Sequence, residues 1–326
     1  MPPPESLERA GDALGLEAAA VPRRMLVVVN PYATSVSDRL KRLVVSALQG
    51  RYRVDAVDTE SRDHATQLSR EAAAAGYDVV AAFGGDGTVN EVANGLAGSP
   101  TALTPLPGGA TNVYCRMLGV PRDIVDATEH LLGLADAWRP RRLDLGAVNG
   151  RRFLFSSGYG LDAAVVRRVD AHPRAKARLR HWYFAYAGVG IFARDYVVRP
   201  PRIDVEAAGR SVRGVTVLVQ TGDPYTYWGH RPLHVAEHTA LDDGTIGGAV
   251  LRRAAPADAP TVLARLFSQR LRVVDHRRVF AFSGQTEARC VSADGRPVPL
   301  QVDGDYIGAT TTAHYEVLPG ALTVVC

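Results

Sequence analysis

The run Phe83-Gly-Gly-Asp-Gly-Thr-Val-Asn-Glu-Val-Ala-Asn-Gly95 follows directly on the apolar stretch Val79 to Phe83 and leads into a helix-like pattern. Glycine lets a backbone approach a phosphate closely, and the free N–H groups at a helix start favour negative charge. Asp86 puts a carboxylate within reach of a metal riding on such a phosphate. A tight strand-to-helix turn that binds nothing would also need glycine, but it needs neither the acid nor the Thr88, Asn90 and Glu91 set behind it. The spacing matches neither a Walker A loop nor the dinucleotide G-x-G-x-x-G pattern.

Strand and helix patterns alternate around this loop. Met25 to Asn30, Arg53 to Val57, Asp78 to Phe83 and Thr101 to Leu106 read as strands. Asp38 to Leu48, Ala65 to Ala75, the segment through Leu96, and Ile124 to Ala135 have helical periodicity. This alternation predicts a doubly wound parallel α/β sheet, in which ligands sit at the carboxyl ends of the strands. Three loops fall there: Asn30 to Thr34, Gly84 to Thr88, and Pro107 to Asn112. Beyond Trp138 the texture becomes short and β-rich, with a hairpin turn at Asn149-Gly150. The expected layout is a tail over 1–24, a nucleotide-binding domain over 25–138, and a mostly antiparallel β-sandwich over 139–326 carrying one or two helices such as Ala177 to Arg194. Its last strand is free to return toward the first domain.

With 46% hydrophobic and 22% charged residues the chain is globular in composition, and no run reaches the roughly 20 apolar residues of a spanning helix. A net charge of +4 mildly favours anionic partners; no nucleic-acid partner is expected. Cys115, Cys290 and Cys326 lack metal-ligand spacing and read as reduced thiols of a cytoplasmic protein.

Gly84 to Leu96 resembles the signature of the diacylglycerol kinase catalytic family, which includes bacterial soluble lipid kinases and the sphingosine and ceramide kinases. Val29-Asn-Pro-Tyr-Ala33 resembles that family's first phosphate loop, and Pro107 to Pro121 its second. Gln301-Val-Asp-Gly-Asp305 stands where the family has Asp-Gly-Glu. In two places the chain departs from the pattern. Ala110 stands where a threonine is common, moving the hydroxyl to Thr111, and Asp305 replaces the longer Glu.

The resemblance implies ATP over the first sheet, with contacts from Asn30, Thr34, Thr59, the backbone of the loop Gly84, Gly85, Asp86, Gly87, Thr88 and Asn90, and Thr111 with Asn112. Thr59 fits a nucleotide-facing hydroxyl or a helix cap. Glu91 fits the ordering of a metal-bound water or a cap. Asp305 is implied as the base that takes the acceptor hydroxyl's proton, with Asp303 on the same strand face or holding the turn. Asp86 is assigned to Mg2+ and is the competing base. Asp243, with carbonyls of Ala240 and Thr245, is implied as a structural magnesium site. Pro173 to Tyr186 interleaves basic and aromatic residues, which suits docking on an anionic membrane or packing of the aromatics into the sandwich.

The expected activity is Mg2+- and ATP-dependent phosphorylation of diacylglycerol or a related membrane lipid. The protein is expected to be cytoplasmic with peripheral membrane contact, with a homodimer left open. An NAD kinase-like enzyme, or a nucleotide-binding regulatory protein without catalysis, is the alternative.

Overall fold

Residues 22–172, 181–237, 239–268 and 270–326 are described by the computed structural model. Arg24–Val29 (β1), Asp38–Leu48 (α1), Arg53–Asp58 (β2), His64–Ala74 (α2), Val79–Gly84 (β3), Asp86–Leu96 (α3) and Ala102–Pro107 (β4) alternate as the hydrophobic pattern requires. The strands pair in parallel in the order β2-β1-β3-β4. β3 and β4 are buried along their whole length, as expected for strands covered on both faces. Ser37 caps α1 by accepting from the Leu40 N–H. After β4 come Val113–Met117 (α4) and Ile124–Leu134 (α5), the latter capped by Asp123.

The chain then enters Arg141–Val148 (β5), Arg151–Phe153 (β6) and Ser156–Tyr159 (β7), followed by Leu161–Asp170 (α6) and His181–Ile191 (α7). Next are Ile203–Ala207 (β8), Arg210–Gly214 (β9), Thr216–Gln220 (β10), Thr226–Trp228 (β11), Arg231–Leu233 (β12) and Ile246–Leu251 (β13). Ala259–Leu266 (α8), Val279–Gln285 (β14), Glu287–Ser292 (β15), Val298–Val302 (β16), Asp305–Thr310 (β17) and Thr312–Val324 (β18) complete it. β14, β13, β10, β7, β16 and β17 form one antiparallel sheet. It packs over β15, β8 and β5 through a core that includes Phe153, Tyr159, Val217, Val219, Cys290 and Tyr315. The molecule is thus an α/β domain followed by a mostly antiparallel β-sandwich.

β18 joins the two halves. Its first part, Thr312 to Glu316, pairs antiparallel with β15, Tyr315 to Val324 pair antiparallel with β5, and Val324 also pairs in parallel with Leu103 of β4. Pairing on that side of β4 ends there, at the point where Pro105 and Pro107 can offer no N–H. In sequence Pro319-Gly320 reads as a break in an extended strand. The structure instead absorbs the pair as an irregularity between Leu318 and Leu322. Buried Asp144 of β5 supports it by accepting from Gly320 N (2.7 Å) and from Gly244 N (2.6 Å).

After the Asn149-Gly150 turn the chain is divided into two strands, with β6 in one sheet and β7 in the other. The segment Val212 to Gln220 is likewise divided between β9 and β10. The tail over 1–21 and most of the basic segment, 173–180, lie outside the described residues. No helix among the described residues is long and apolar enough to cross a membrane.

Asp144→Ala should leave two partly buried N–H groups without acceptors and lower the unfolding free energy by about 1–3 kcal/mol. Urea denaturation checks this; an unchanged midpoint and slope would mean that the strand irregularity holds itself.

Candidate active site

Two glycine loops pack backbone against backbone at the carboxyl ends of β3 and β4. Gly108 N donates to Gly84 O (2.8 Å), extending the parallel ladder past the strands. A Cβ on Gly109 would stand 2.7 Å from Gly85 Cα, and one on Gly108 would stand 3.0 Å from Gly84 Cα. No side chain fits between the loops, which gives these glycines a steric reason beyond turn-making. Asn112, in the left-handed region at φ 48°, accepts from Gly109 N and donates to Gly109 O. Ser35 N donates to Gly108 O (2.9 Å), drawing in the loop after β1.

α3 starts at this junction. Its N-cap, Gly85, offers no side chain to its first N–H groups, whereas α1 and α5 are capped by Ser37 and Asp123. The helix start is therefore suited to an outside anion. Asp86, in its first turn, accepts from Tyr114 N (3.0 Å) at the start of α4. Burial pushes the Asp86 carboxyl above the usual range; nearby Asp305 adds to the rise, while the backbone N–H groups of Tyr114 and Val113 oppose it. Thr88 is buried and receives the Asn30 Nδ2–H at 3.1 Å. Asn30 Oδ1 in turn accepts from Tyr32 N. Thr59 is buried and its N–H extends the sheet by donating to Val29 O. Thr34 and Thr111 are exposed on the loops that flank this floor.

The second domain reaches the same point through the turn between β16 and β17. Asp305 is exposed, and its Oδ2 lies 2.9 Å from where a Cβ on Gly87 would sit. Gly87 is the opening through which an acid of one domain reaches the start of a helix in the other. Asp303, two residues earlier, has the opposite environment. It is buried at φ 48° and accepts from Asn90 Nδ2 (2.7 Å), Leu154 N (2.7 Å), Phe155 N (3.0 Å) and Ser156 N (3.1 Å). Its oxygens are engaged at the domain junction, by the N–H groups of residues 154–156 and by Asn90 of α3 rather than by its own turn.

Three further residues have partners within the protein. The Asn90 side chain donates to Asp303 and Arg152 O, while its backbone, the part expected at the nucleotide, lies in the first turns of α3. Glu91 accepts from Ala65 N (3.2 Å), capping α2, whose own N-cap Asp63 supplies no side-chain bond. At the expected magnesium loop, Asp243 accepts from Ala240 N, Thr245 N and Thr245 Oγ1, each at 2.8 Å. Asp243 thus closes its own loop, and its Oδ2, which accepts a single N–H, keeps lone-pair capacity for a cation. No step below runs through an ion there, and among the described residues no group of three or more His, Cys, Asp or Glu side chains is arranged to hold a metal.

Sequence reasoning gave no role to Gln301, Asp162 or Tyr225. Gln301 Oε1 accepts from Gly304 N (2.8 Å), fixing the turn that carries Asp305, and its Nε2 donates to Asp162 Oδ2 (2.7 Å) and Tyr225 Oη (3.0 Å). The signal for Asp162 was Gly158-Tyr-Gly-Leu-Asp162, a second glycine-and-acid run after a strand. Gly158 has no room for a Cβ because Asp162 occupies it. Arg116 was also missed. It stacks over the Tyr227 ring (3.3 Å) and donates to Gly229 O, tying α4 to the β11–β12 hairpin.

A glycine-floored cleft with one acid from each domain defines a phosphotransferase-type site. The diacylglycerol kinase catalytic domain model matches residues 24–146, and the YegS C-terminal NAD kinase beta sandwich-like domain model matches residues 156–326. The chain belongs to the diacylglycerol kinase family and is a lipid kinase. It is 28% identical over 298 residues to a diacylglycerol kinase of Bacillus subtilis (strain 168), covering 88% of this chain and 91% of that protein. A diacylglycerol kinase of Staphylococcus carnosus (strain TM300) is 25% identical over 295 residues, with 88% and 90% covered. The crystal structure of a diacylglycerol kinase from Bacillus anthracis str. Sterne superposes with a TM-score of 0.69 over 93% of this chain and 96% of that one, at 20% identity, which is a likeness of fold.

Asp303→Asn should place an amide N–H against backbone donors and destabilise the protein by about 1–3 kcal/mol at low pH. Burial raises the Asp303 carboxyl from an ordinary 3.8 to about 6, so its contribution to stability is full below pH 3.8 and is lost as pH rises through 6. The gap between wild type and Asp303→Asn should therefore narrow across that window, as measured by urea denaturation at several pH values. A constant gap would contradict this electrostatic assignment.

Proposed function

We propose that this lipid kinase transfers the γ-phosphate of ATP, bound as its magnesium complex, to a hydroxyl of diacylglycerol or a closely related lipid. The observation that carries the reading is the approach of Asp305 to the space beside Gly87, which sets an exposed carboxylate of the sandwich near the uncapped start of α3.

Phosphoryl transfer is mostly positioning and neutralisation of charge. The N–H groups at the start of α3 and the two glycine loops face the phosphates, which need close backbone approach. Asp86 is the residue that would hold the magnesium arriving with the nucleotide, and that ion would supply neutralisation of the phosphate charge. The acceptor hydroxyl enters from the Asp305 side. Asp305 accepts its proton as the hydroxyl oxygen bonds to Pγ and the bond from Pγ to the bridging oxygen breaks; ADP then leaves. Because Asp305 is exposed, the proton passes on to solvent. The Asp303 junction and the Gln301–Gly304 bond hold this carboxylate in place.

The sandwich model's NAD kinase-like description favours one competing reading, transfer to NAD. Incubation with labelled ATP and magnesium against diacylglycerol, a panel of extracted lipids, and NAD separates the two. Label in lipid supports the proposal, label in NAD alone overturns it, and label in neither favours a regulatory nucleotide-binding role.

Asp305→Ala should lower turnover by roughly 10²–10⁴-fold, the usual contribution of a positioned base, with nucleotide affinity little changed. Asp305→Glu should retain much of the activity, since it keeps the carboxylate at a longer reach. Turnover of Asp305→Asn equal to wild type would remove Asp305 from the chemistry.

Magnesium–nucleotide binding needs Asp86 ionised, and Asp86 titrates above the usual carboxylate range through burial and the nearby Asp305 charge. Affinity should therefore weaken as pH falls through that raised value. Asp305→Asn, which removes one cause of the rise, should move the weakening to lower pH. Calorimetric titration across pH checks this, and an unmoved limb would mean that the two acids are not coupled.

A further inference from the structure

At the end of the sandwich away from the cleft, five arginines line an open cavity of about 330 Å³: Arg213, Arg252, Arg253, Arg277 and Arg278. β10 sets the geometry. Its Gln220 end pairs with Ser156, beside Asp303, while its Thr216 end pairs with Leu251, the residue before Arg252. Leu251 also pairs with Val279, which follows Arg278. The arginines thus gather because β9, β13 and β14 begin or end at the same edge, although they are scattered in sequence.

Their charge is not balanced locally. Arg213 holds Asp204 through two bonds (2.7 and 3.1 Å), and Arg277 and Arg278 share the single carboxylate of Asp258 (2.8 and 3.1 Å). Among the described residues neither Arg252 nor Arg253 has a carboxylate partner, and both are exposed. Five guanidinium groups against two carboxylates leave three positive charges facing one opening. Arginine forks match phosphate oxygens two at a time, so the complementary ligand is a phosphate group.

The surroundings distinguish a lipid phosphate from a free one. Leu251 and Ala254, on either side of Arg252 and Arg253, pack with Val215, Ile191 and Tyr196 in one small apolar cluster. The residues that follow Tyr196 are Val197 and Val198, which are 37% and 68% exposed. Tyr186 and Val189 of α7 are exposed as well, at 68% and 66%. α7 is an uncharged segment apart from His181, so its outer side offers apolar and aromatic groups rather than ions. Apolar side chains beside a cationic groove suit the boundary between headgroups and acyl chains.

We infer that the five-arginine groove binds the phosphate headgroups of anionic phospholipids and, together with Val197 and Val198, docks the sandwich on a membrane surface. This rests on the lipid-kinase reading for its purpose but not for its geometry. Docking at this edge concentrates the enzyme where its apolar acceptor resides, without using any residue of the cleft.

The test uses the full chain and two variants, Arg252→Gln/Arg253→Gln and Val198→Ser. Cosedimentation is measured with vesicles of phosphatidylcholine alone and with vesicles containing phosphatidylglycerol as well. Wild type should bind the anionic vesicles, weaken as salt rises, and leave neutral vesicles largely unbound. The double variant should lose about tenfold or more of the anionic binding, from two surface charges each worth a severalfold factor. Val198→Ser should lose a smaller part. Turnover on a short-chain diacylglycerol in neutral detergent micelles should be the same for all three proteins. If none is active on that substrate while the vesicle pattern holds, the functional reading fails and the groove stands.

Undiminished vesicle binding by the double variant would overturn the inference. So would Arg252- and Arg253-dependent binding of inorganic phosphate, measured by calorimetry, with no vesicle effect. Arginine-dependent binding of a labelled DNA duplex, with vesicle binding retained in the double variant, would overturn it in favour of nucleic acid.

Discussion

The buried carboxylate of Asp303 is the interaction on which the cleft depends. It gathers the backbone N–H groups of residues 154 to 156 from the sandwich and the side chain of Asn90 from α3. A buried carboxylate must find donors or be destabilised, and here the donors come from both domains. Satisfying one group therefore sets the distance between two domains. Asp305 follows two residues later, and its approach to the space beside Gly87 is a consequence of that setting.

The contrast between these two acids illustrates how environment assigns roles to identical side chains. Asp303 is enclosed, held by four donors and raised by burial; Asp305 is exposed at the mouth of the same turn. Gln301 adds a second constraint by holding Gly304 N while its amide reaches Asp162 and Tyr225. On the opposite wall, the glycine loops exclude side chains from the floor, so that Asp86 and the uncapped start of α3 remain the polar groups presented there. Rigid support behind a small number of exposed groups suits a reaction in which positioning supplies most of the rate.

The two domains share a sheet as well as a cleft. β18 pairs with strands of the sandwich and then, at Val324, with β4 of the α/β domain. The domain junction therefore carries main-chain hydrogen bonds, the Asp303 cluster, and the Arg116 stacking on Tyr227. Relative movement of the domains would have to break one of these contacts. The arginine groove lies at the far edge of the sandwich, where docking would not disturb them.

The sequence by itself determined the class of the fold and the floor of the site. Periodicity located β1 to β4 and the helices between them, because strands buried on both faces and amphipathic helices leave opposite signatures over short windows. The glycines at 84, 85, 108 and 109 were legible as close-approach positions, since glycine in such runs has few other physical uses. Which acid does what was decided only by tertiary structure. Asn90 and Glu91 sit in the signature itself, yet one faces Asp303 and the other caps a neighbouring helix. Asp243 lies in a loop like those that hold ions, and its carboxylate accepts from that loop's own N–H and O–H groups. The arginine groove had no sequence signature, because its members come from separate strands and share only an edge. Side-chain roles of this kind depend on which donors and charges meet across long separations in the chain, and local pattern carries no information about those meetings.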